Sequence, residues 1–180
     1  GTDTSTDCST NETAAYCLRI ECTHNDCFQS CAHVRSIDYT DNYTTQDFPK
    51  WNLREADGLW CAAFVYYCCN EAGFEIPYRP SECITCHLAG CVAWEEFAIS
   101  DKQIEYHKGT ESLVPEAGDI VIYDRVFNNQ EHDHIGIVLQ KHENAIVVAE
   151  GNVNNESGII ERPIDEHIRA YIRIPDGYKY

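Results

Sequence analysis

The hydrophobic positions of this chain fall into two regimes. Between residues 61 and 72, apolar side chains recur at Cys61, Phe64, Val65, Cys68, Cys69 and Ala72, the spacing of one helical face. Gly58-Leu59-Trp60 opens this predicted helix and Gly73 stops it. A second helix is predicted to begin near Ser81, a capping residue, with Glu82 in its first turn. On it, Ile84, His87, Leu88, Cys91, Trp94 and Ala98 share a face. From residue 118 the pattern changes to β-rich runs at 119–124, 134–140, 145–150 and 170–174, with 158–161 as a fifth. Lys141-His142-Glu143-Asn144 reads as a hairpin turn, and residues 151–155 as a second turn. Helices first and strands after predict an α+β fold, an antiparallel sheet packed on the N-terminal helices.

Residues 1–33 obey neither period. They are rich in Thr, Ser, Asp and Asn, carry five cysteines, and need crosslinks or docking to stay ordered. The chain therefore divides into a cysteine-rich N-terminal extension, 1–33, and one domain over 34–180. Its 180 residues, 43% hydrophobic and 24% charged, suit a globular protein with a real core. The chain begins at Gly1 and contains no Met, as expected of a processed chain. A formal charge of -17 repels phosphate backbones and anionic lipid, so nucleic acid and membrane surfaces are not expected partners. The longest near-continuous apolar run, 60–69, is too short to span a bilayer. A monomer is expected.

The candidate chemistry begins at Cys61, the first residue of the first predicted helix. There the helix dipole and unpaired backbone N–H groups favour a thiolate and can also hold an oxyanion. Position alone equally fits a buried core cysteine like Cys68 and Cys69. A thiolate needs a base. His134 opens a predicted strand, and strand alternation sets it on one face with Gly136 and Val138, so the small residue leaves space beside it. A base needs an orienting group. If 134–140 and 145–150 pair as a hairpin, Glu150 lies near His134, and Glu150 or Asn152 can fix the imidazole tautomer.

Four segments carry a resemblance to a known family. They are Trp60-Cys61-Ala62-Ala63-Phe64-Val65, Pro115-Glu116-Ala117-Gly118-Asp119-Ile120-Val121, Asp133-His134-Ile135-Gly136-Ile137-Val138 and Glu150-Gly151-Asn152. Together they resemble the CHAP family, cysteine- and histidine-dependent amidohydrolases and peptidases of the papain-like superfamily. The likeness runs from about residue 45 to 176. It implies a papain-like α+β fold and cleavage of amide bonds in peptidoglycan, as an endopeptidase of stem peptides and cross-bridges or as an N-acetylmuramoyl-L-alanine amidase. It implies Cys61 as nucleophile, His134 as base, and Glu150 with Asn152 as orienting groups. No metal or organic cofactor is needed for that chemistry. The substrate places the protein outside the cell, secreted or at the surface. The cysteine-rich extension has no counterpart in the resemblance. Two other readings remain: a secreted disulfide-rich binding or toxin-like domain on an inactive protease fold, or acyl transfer or deamidation of a protein by the same Cys-His pair.

The cysteine count adds one expectation. Eleven cysteines are many for a reducing compartment, and the number is odd. If Cys61 stays free as nucleophile, the other ten can close five disulfides. The extension holds five, so at least one bridge is expected to tie it to Cys68, Cys69, Cys83, Cys86 or Cys91. Zinc is the alternative, on Cys17, Cys22, Cys27 and Cys31, with Cys83, Cys86, His87 and Cys91 contributing to a second site.

Overall fold

In the computed structural model, which describes residues 59–110, 113–154 and 156–180, apolar runs on both faces of a central strand dictate the layering. Strand β2, Ile120–Tyr123, is buried along its whole length. Ile120 and Ile122 point into one core, and Val121 and Tyr123 into another. The first core lies between the sheet and the helices α1, Cys61–Glu71, and α2, Cys91–Ser100. The second lies on the opposite face, where Val138, Ile146, Val148, Ile168 and Tyr171 join it under half-buried Leu113, Val126 and Ile164.

The other strands are β1, Glu105–Lys108; β3, His134–Lys141; β4, Ala145–Val153; β5, Glu156–Pro163; and β6, Ile168–Arg173. They form one six-stranded sheet in the order β1-β6-β2-β3-β4-β5, and every neighbouring pair is antiparallel. The fold is thus α+β, with the expected antiparallel sheet. β1, Glu-Tyr-His-Lys, escapes a hydrophobicity pattern because it is a polar edge strand bonded only to β6. β4 runs three residues beyond its predicted end. A register shift between Glu150 and Val153 carries it to a tighter turn at Asn154, where φ is 53°.

The helices differ more from expectation. α1 forms where predicted and ends at Gly73, whose φ of 86° lets the Phe74 amide reach back to the Cys69 carbonyl at 3.0 Å. It is buried well beyond the predicted stripe, since Ala62, Ala63 and Tyr66 are also inaccessible. α2 starts at Cys91, ten residues after the predicted Ser81, with Gly90 as its N-cap. Residues 81–90 are turns. The cause is local: the Glu96 carboxylate folds back from α2 and accepts the amides of Ile84 (2.7 Å) and Thr85 (3.0 Å), together with the Thr85 hydroxyl. Those amides therefore have side-chain acceptors in place of helical carbonyls. Ile84, assigned to a buried face, is 82% exposed.

No disulfide joins any two of the described cysteines. Cys83, Cys86 and Cys91 are free thiols among the described residues, and the expected bridge to the extension involves cysteines that lie outside them. Cys83 instead packs as a small core residue, its thiol donating to the Ala93 carbonyl at 3.4 Å. The extension, its five cysteines and its first proposed zinc set lie outside the described residues. Among the described residues no three His, Cys, Asp or Glu side chains are arranged to hold a metal, so Cys83, Cys86, His87 and Cys91 form no such site. No described helix is long and apolar enough to cross a membrane.

Close approach between α1 and β4 is set at Gly151. A Cβ there would lie 2.4 Å from Phe64 Cβ and 2.9 Å from the Trp60 ring. Gly151→Ala must push the strand off the start of α1, and overpacking of this kind costs about 1–3 kcal/mol. The expected result is a lower urea midpoint with an unchanged slope.

Candidate active site

The first residues of two helices and one strand meet at a single point. Cys61 opens α1, Cys91 opens α2 and His134 opens β3. The Cys61 and Cys91 sulfurs are 3.7 Å apart and both residues are buried. Cys61 and His134 also act on each other electrostatically, the charged form of each favouring that of the other. On its far side, His134 Nε2 lies 2.8 Å from Glu150 Oε2, which leaves Nδ1 as the nitrogen available to Cys61.

Sheet register explains how Glu150 reaches the ring. Glu150 pairs with Gly136, and His134 is two residues along β3 on the same face, a diagonal contact. Gly136 makes the crossing possible: a Cβ there would sit 2.5 Å from Val148 Cγ1 and 2.9 Å from Glu150 Cγ. Asn152 lies on the irregular end of β4 with φ at 60°. Among the described residues Glu150, and not Asn152, hydrogen-bonds to the imidazole.

Glu150 is fully buried, a costly place for a carboxylate unless it is paired. Arg162 on β5 supplies the partner through two parallel bonds, Nε to Oε1 at 2.9 Å and Nη2 to Oε2 at 2.6 Å. Burial pushes the Glu150 carboxyl up, but Arg162 and then His134 hold it below the ordinary carboxylate range. Burial likewise disfavours a charged His134, yet hydrogen bonds to Cys61 and Glu150 raise it to about 9. The Cys61 thiol falls to about 5, chiefly through the hydrogen bond from Cys91, against burial and with help from His134 and the Ala62 amide. Between those two values the pair rests as thiolate and imidazolium.

Aromatic rings enclose the histidine. Tyr123 stacks at 6.0 Å, and Phe127 meets the ring edge-on at 4.8 Å. The Arg162 guanidinium lies 5.2 Å from the Phe127 centroid. Phe127 sits on the β2–β3 loop, which Asp133 shapes by accepting the amides of Phe127 (2.7 Å) and Asn128 (2.8 Å). The same loop is tied to α2 and β6: His132 Nε2 is 2.5 Å from Glu95, which also takes Arg169 Nε at 2.9 Å and Tyr106 at 2.5 Å.

Sequence reasoning did not find Arg162, Phe127 or Cys91 as parts of this cluster. Arg162 had a signal, being the sole base on β5, beside a strand that carries a carboxylate into the interior. Cys91 had none, because the early helix start placed it in mid-helix. Removing Arg162 leaves Glu150 with His134 as its only charged partner among the described residues. Arg162→Ala is expected to cost about 3 kcal/mol, as breaking one side of a buried pair does. Arg162→Lys should recover only part of this, because an ammonium cannot make the parallel bonds. Urea unfolding of both variants measures the difference.

Residues 53–152, more than half of the chain, match the family model of the CHAP domain. No curated protein matches the chain. The matched span contains Cys61, Cys91, His134, Gly136, Glu150 and Asn152. CHAP domains are in general hydrolases of the peptidoglycan amidase and peptidase kind. On a match of this extent, the chain belongs to the CHAP family.

Proposed function

We propose that this protein is a CHAP-type cysteine hydrolase of papain-like organisation that cleaves amide bonds of peptidoglycan through Cys61, His134 and Glu150. The observation that carries the reading is the hydrogen-bonded run from Arg162 through Glu150 to His134, together with the mutual influence of His134 and Cys61 on each other's protonation. It joins a nucleophile, a base and an orienting carboxylate in the order that covalent acyl chemistry requires.

In this mechanism the Cys61 thiolate attacks the amide carbonyl carbon. The negative charge moves to the carbonyl oxygen, beside the backbone N–H of Cys61 at the start of α1. The His134 imidazolium, oriented by Glu150, gives its proton to the leaving amine as the C–N bond breaks and a thioester forms. Neutral His134 then takes a proton from water, which attacks the thioester and frees Cys61. Because the substrate is wall polymer, the protein acts in the secreted or cell-surface compartment.

Incubation with purified peptidoglycan, followed by mass spectrometry of the new ends, tests this reading and separates endopeptidase from amidase products. Cys61→Ala should lose activity by roughly a thousandfold or more, as nucleophile deletions do. A variant that still generates wild-type levels of new ends would sink the mechanism.

Activity against pH tests the charge state. As pH falls through about 5, Cys61 takes up a proton and the nucleophile is lost. As pH rises through about 9, His134 gives up the proton that the leaving amine needs. The profile of kcat/KM is therefore expected to be bell-shaped between these limits. Glu150→Gln removes the charge that favours imidazolium, so the alkaline limb should move to lower pH. Asn152→Ala should leave that limb in place. A shift in the Asn152 variant alone would transfer the orienting role to Asn152.

A further inference from the structure

The mechanism leaves one buried thiol beside the nucleophile unused. Cys91 Sγ lies 3.7 Å from Cys61 Sγ, nearer than two sulfurs need be to share a hydrogen bond, and both are free thiols. A disulfide requires the sulfurs to close to about 2.05 Å. Each cysteine is the first residue of its helix, where the backbone N–H has no partner within the helix, so a small adjustment there disturbs fewer bonds than one in a helix interior. We infer that Cys91 is the resolving thiol of a reversible oxidative lock on Cys61, closed by peroxide-class oxidants and opened by thiol reductants. As a control on hydrolysis the lock rests on Cys61 being the nucleophile, as proposed above.

The chemistry balances without any further partner. The Cys61 thiolate attacks a peroxide oxygen, forming an S–O bond, breaking the O–O bond and releasing hydroxide, which takes a proton to become water. Cys61 is now a sulfenic acid. The Cys91 sulfur attacks the Cys61 sulfur, the S–S bond forms and the S–O bond breaks. The departing hydroxide leaves as water with the proton that Cys91 gives up. Two thiols have lost two electrons, and one peroxide has become two waters.

The surroundings make this pair selective. Cys61 is the thiol held as thiolate at neutral pH. Cys83 is pushed up to about 12, by burial first, and burial also raises Cys86, so neither competes as a nucleophile. Cys91 is held protonated, well above the ordinary thiol range, by its hydrogen bond to Cys61 and by burial. The part of that restraint that comes from the Cys61 thiolate ends once Cys61 becomes a neutral sulfenic acid, so oxidation of the first thiol makes the second easier to ionise.

The full chain, treated with hydrogen peroxide and digested without reduction, should yield a peptide pair joined through Cys61 and Cys91. Alkylation of Cys61 should slow at least tenfold and return with dithiothreitol. In Cys91→Ala or Cys91→Ser no such pair forms. Cys61 should instead accumulate sulfenic acid, trapped by dimedone, and then sulfinic acid that dithiothreitol does not reverse. Sulfinic acid on wild-type Cys61 without crosslinking, or a crosslink from Cys61 to another cysteine, overturns the inference. Linkage is read independently of peptidoglycan cleavage. A protein that cleaves but never links overturns the lock alone; one that links but never cleaves supports the thiol pair and overturns the hydrolase reading.

Discussion

A buried carboxylate between two cations is the interaction on which the rest of the site depends. Glu150 has no contact with water, so it is ionised only because Arg162 and His134 flank it. With that charge in place, the imidazole is favoured in its protonated form, and a protonated imidazole favours a thiolate at Cys61. Each step lends the next a charge it does not hold alone. The same arrangement constrains the backbone: Gly136 must lack a side chain for Glu150 to cross between strands, and Gly151 must lack one for β4 to reach the start of α1.

Much of this was legible in the sequence because it rests on local pattern. The α1 stripe, the strands β2 to β6 and the β3–β4 hairpin follow from period and turn chemistry, and the hairpin is enough to set Glu150 near His134, while Cys61 joins them through the resemblance to the CHAP family. The start of α2 was not legible, because it is decided by Glu96 reaching back to amides of residues 84 and 85. Such a contact leaves no periodic trace. β1 was missed for the opposite reason: as a polar edge strand it has no apolar alternation to read.

Within the cluster, the sequence identifies the residue types that chemistry names and misses those that hold them. Arg162, Phe127 and Cys91 belong to β5, to a loop and to α2, and each meets the histidine–cysteine pair only through tertiary packing. The choice between Glu150 and Asn152 as neighbour of the ring likewise needs the register of β3 against β4. Cysteine parity counts sulfurs and does not say where each one sits, whereas the fold uses Cys83 as a small apolar side chain and brings Cys91 to Cys61.

The run from Cys61 to Arg162 spans most of the described chain, from its first helix to its fifth strand. Its links differ in reach: Glu150 meets Arg162 and His134 on the strands next to it in sequence, whereas Cys61 belongs to a helix that must dock on the sheet from far along the chain, at a greater loop-closure cost. A chain whose α1 is not yet docked can already pair Glu150 with Arg162, but its Cys61 lacks both Cys91 and the imidazolium and is an ordinary, mostly protonated thiol. A low-lying Cys61 thiol is thus a property of the docked fold. The ionised Cys61 reports assembly of helices on sheet, whereas the Glu150–Arg162 pair reports no more than the β4–β5 hairpin.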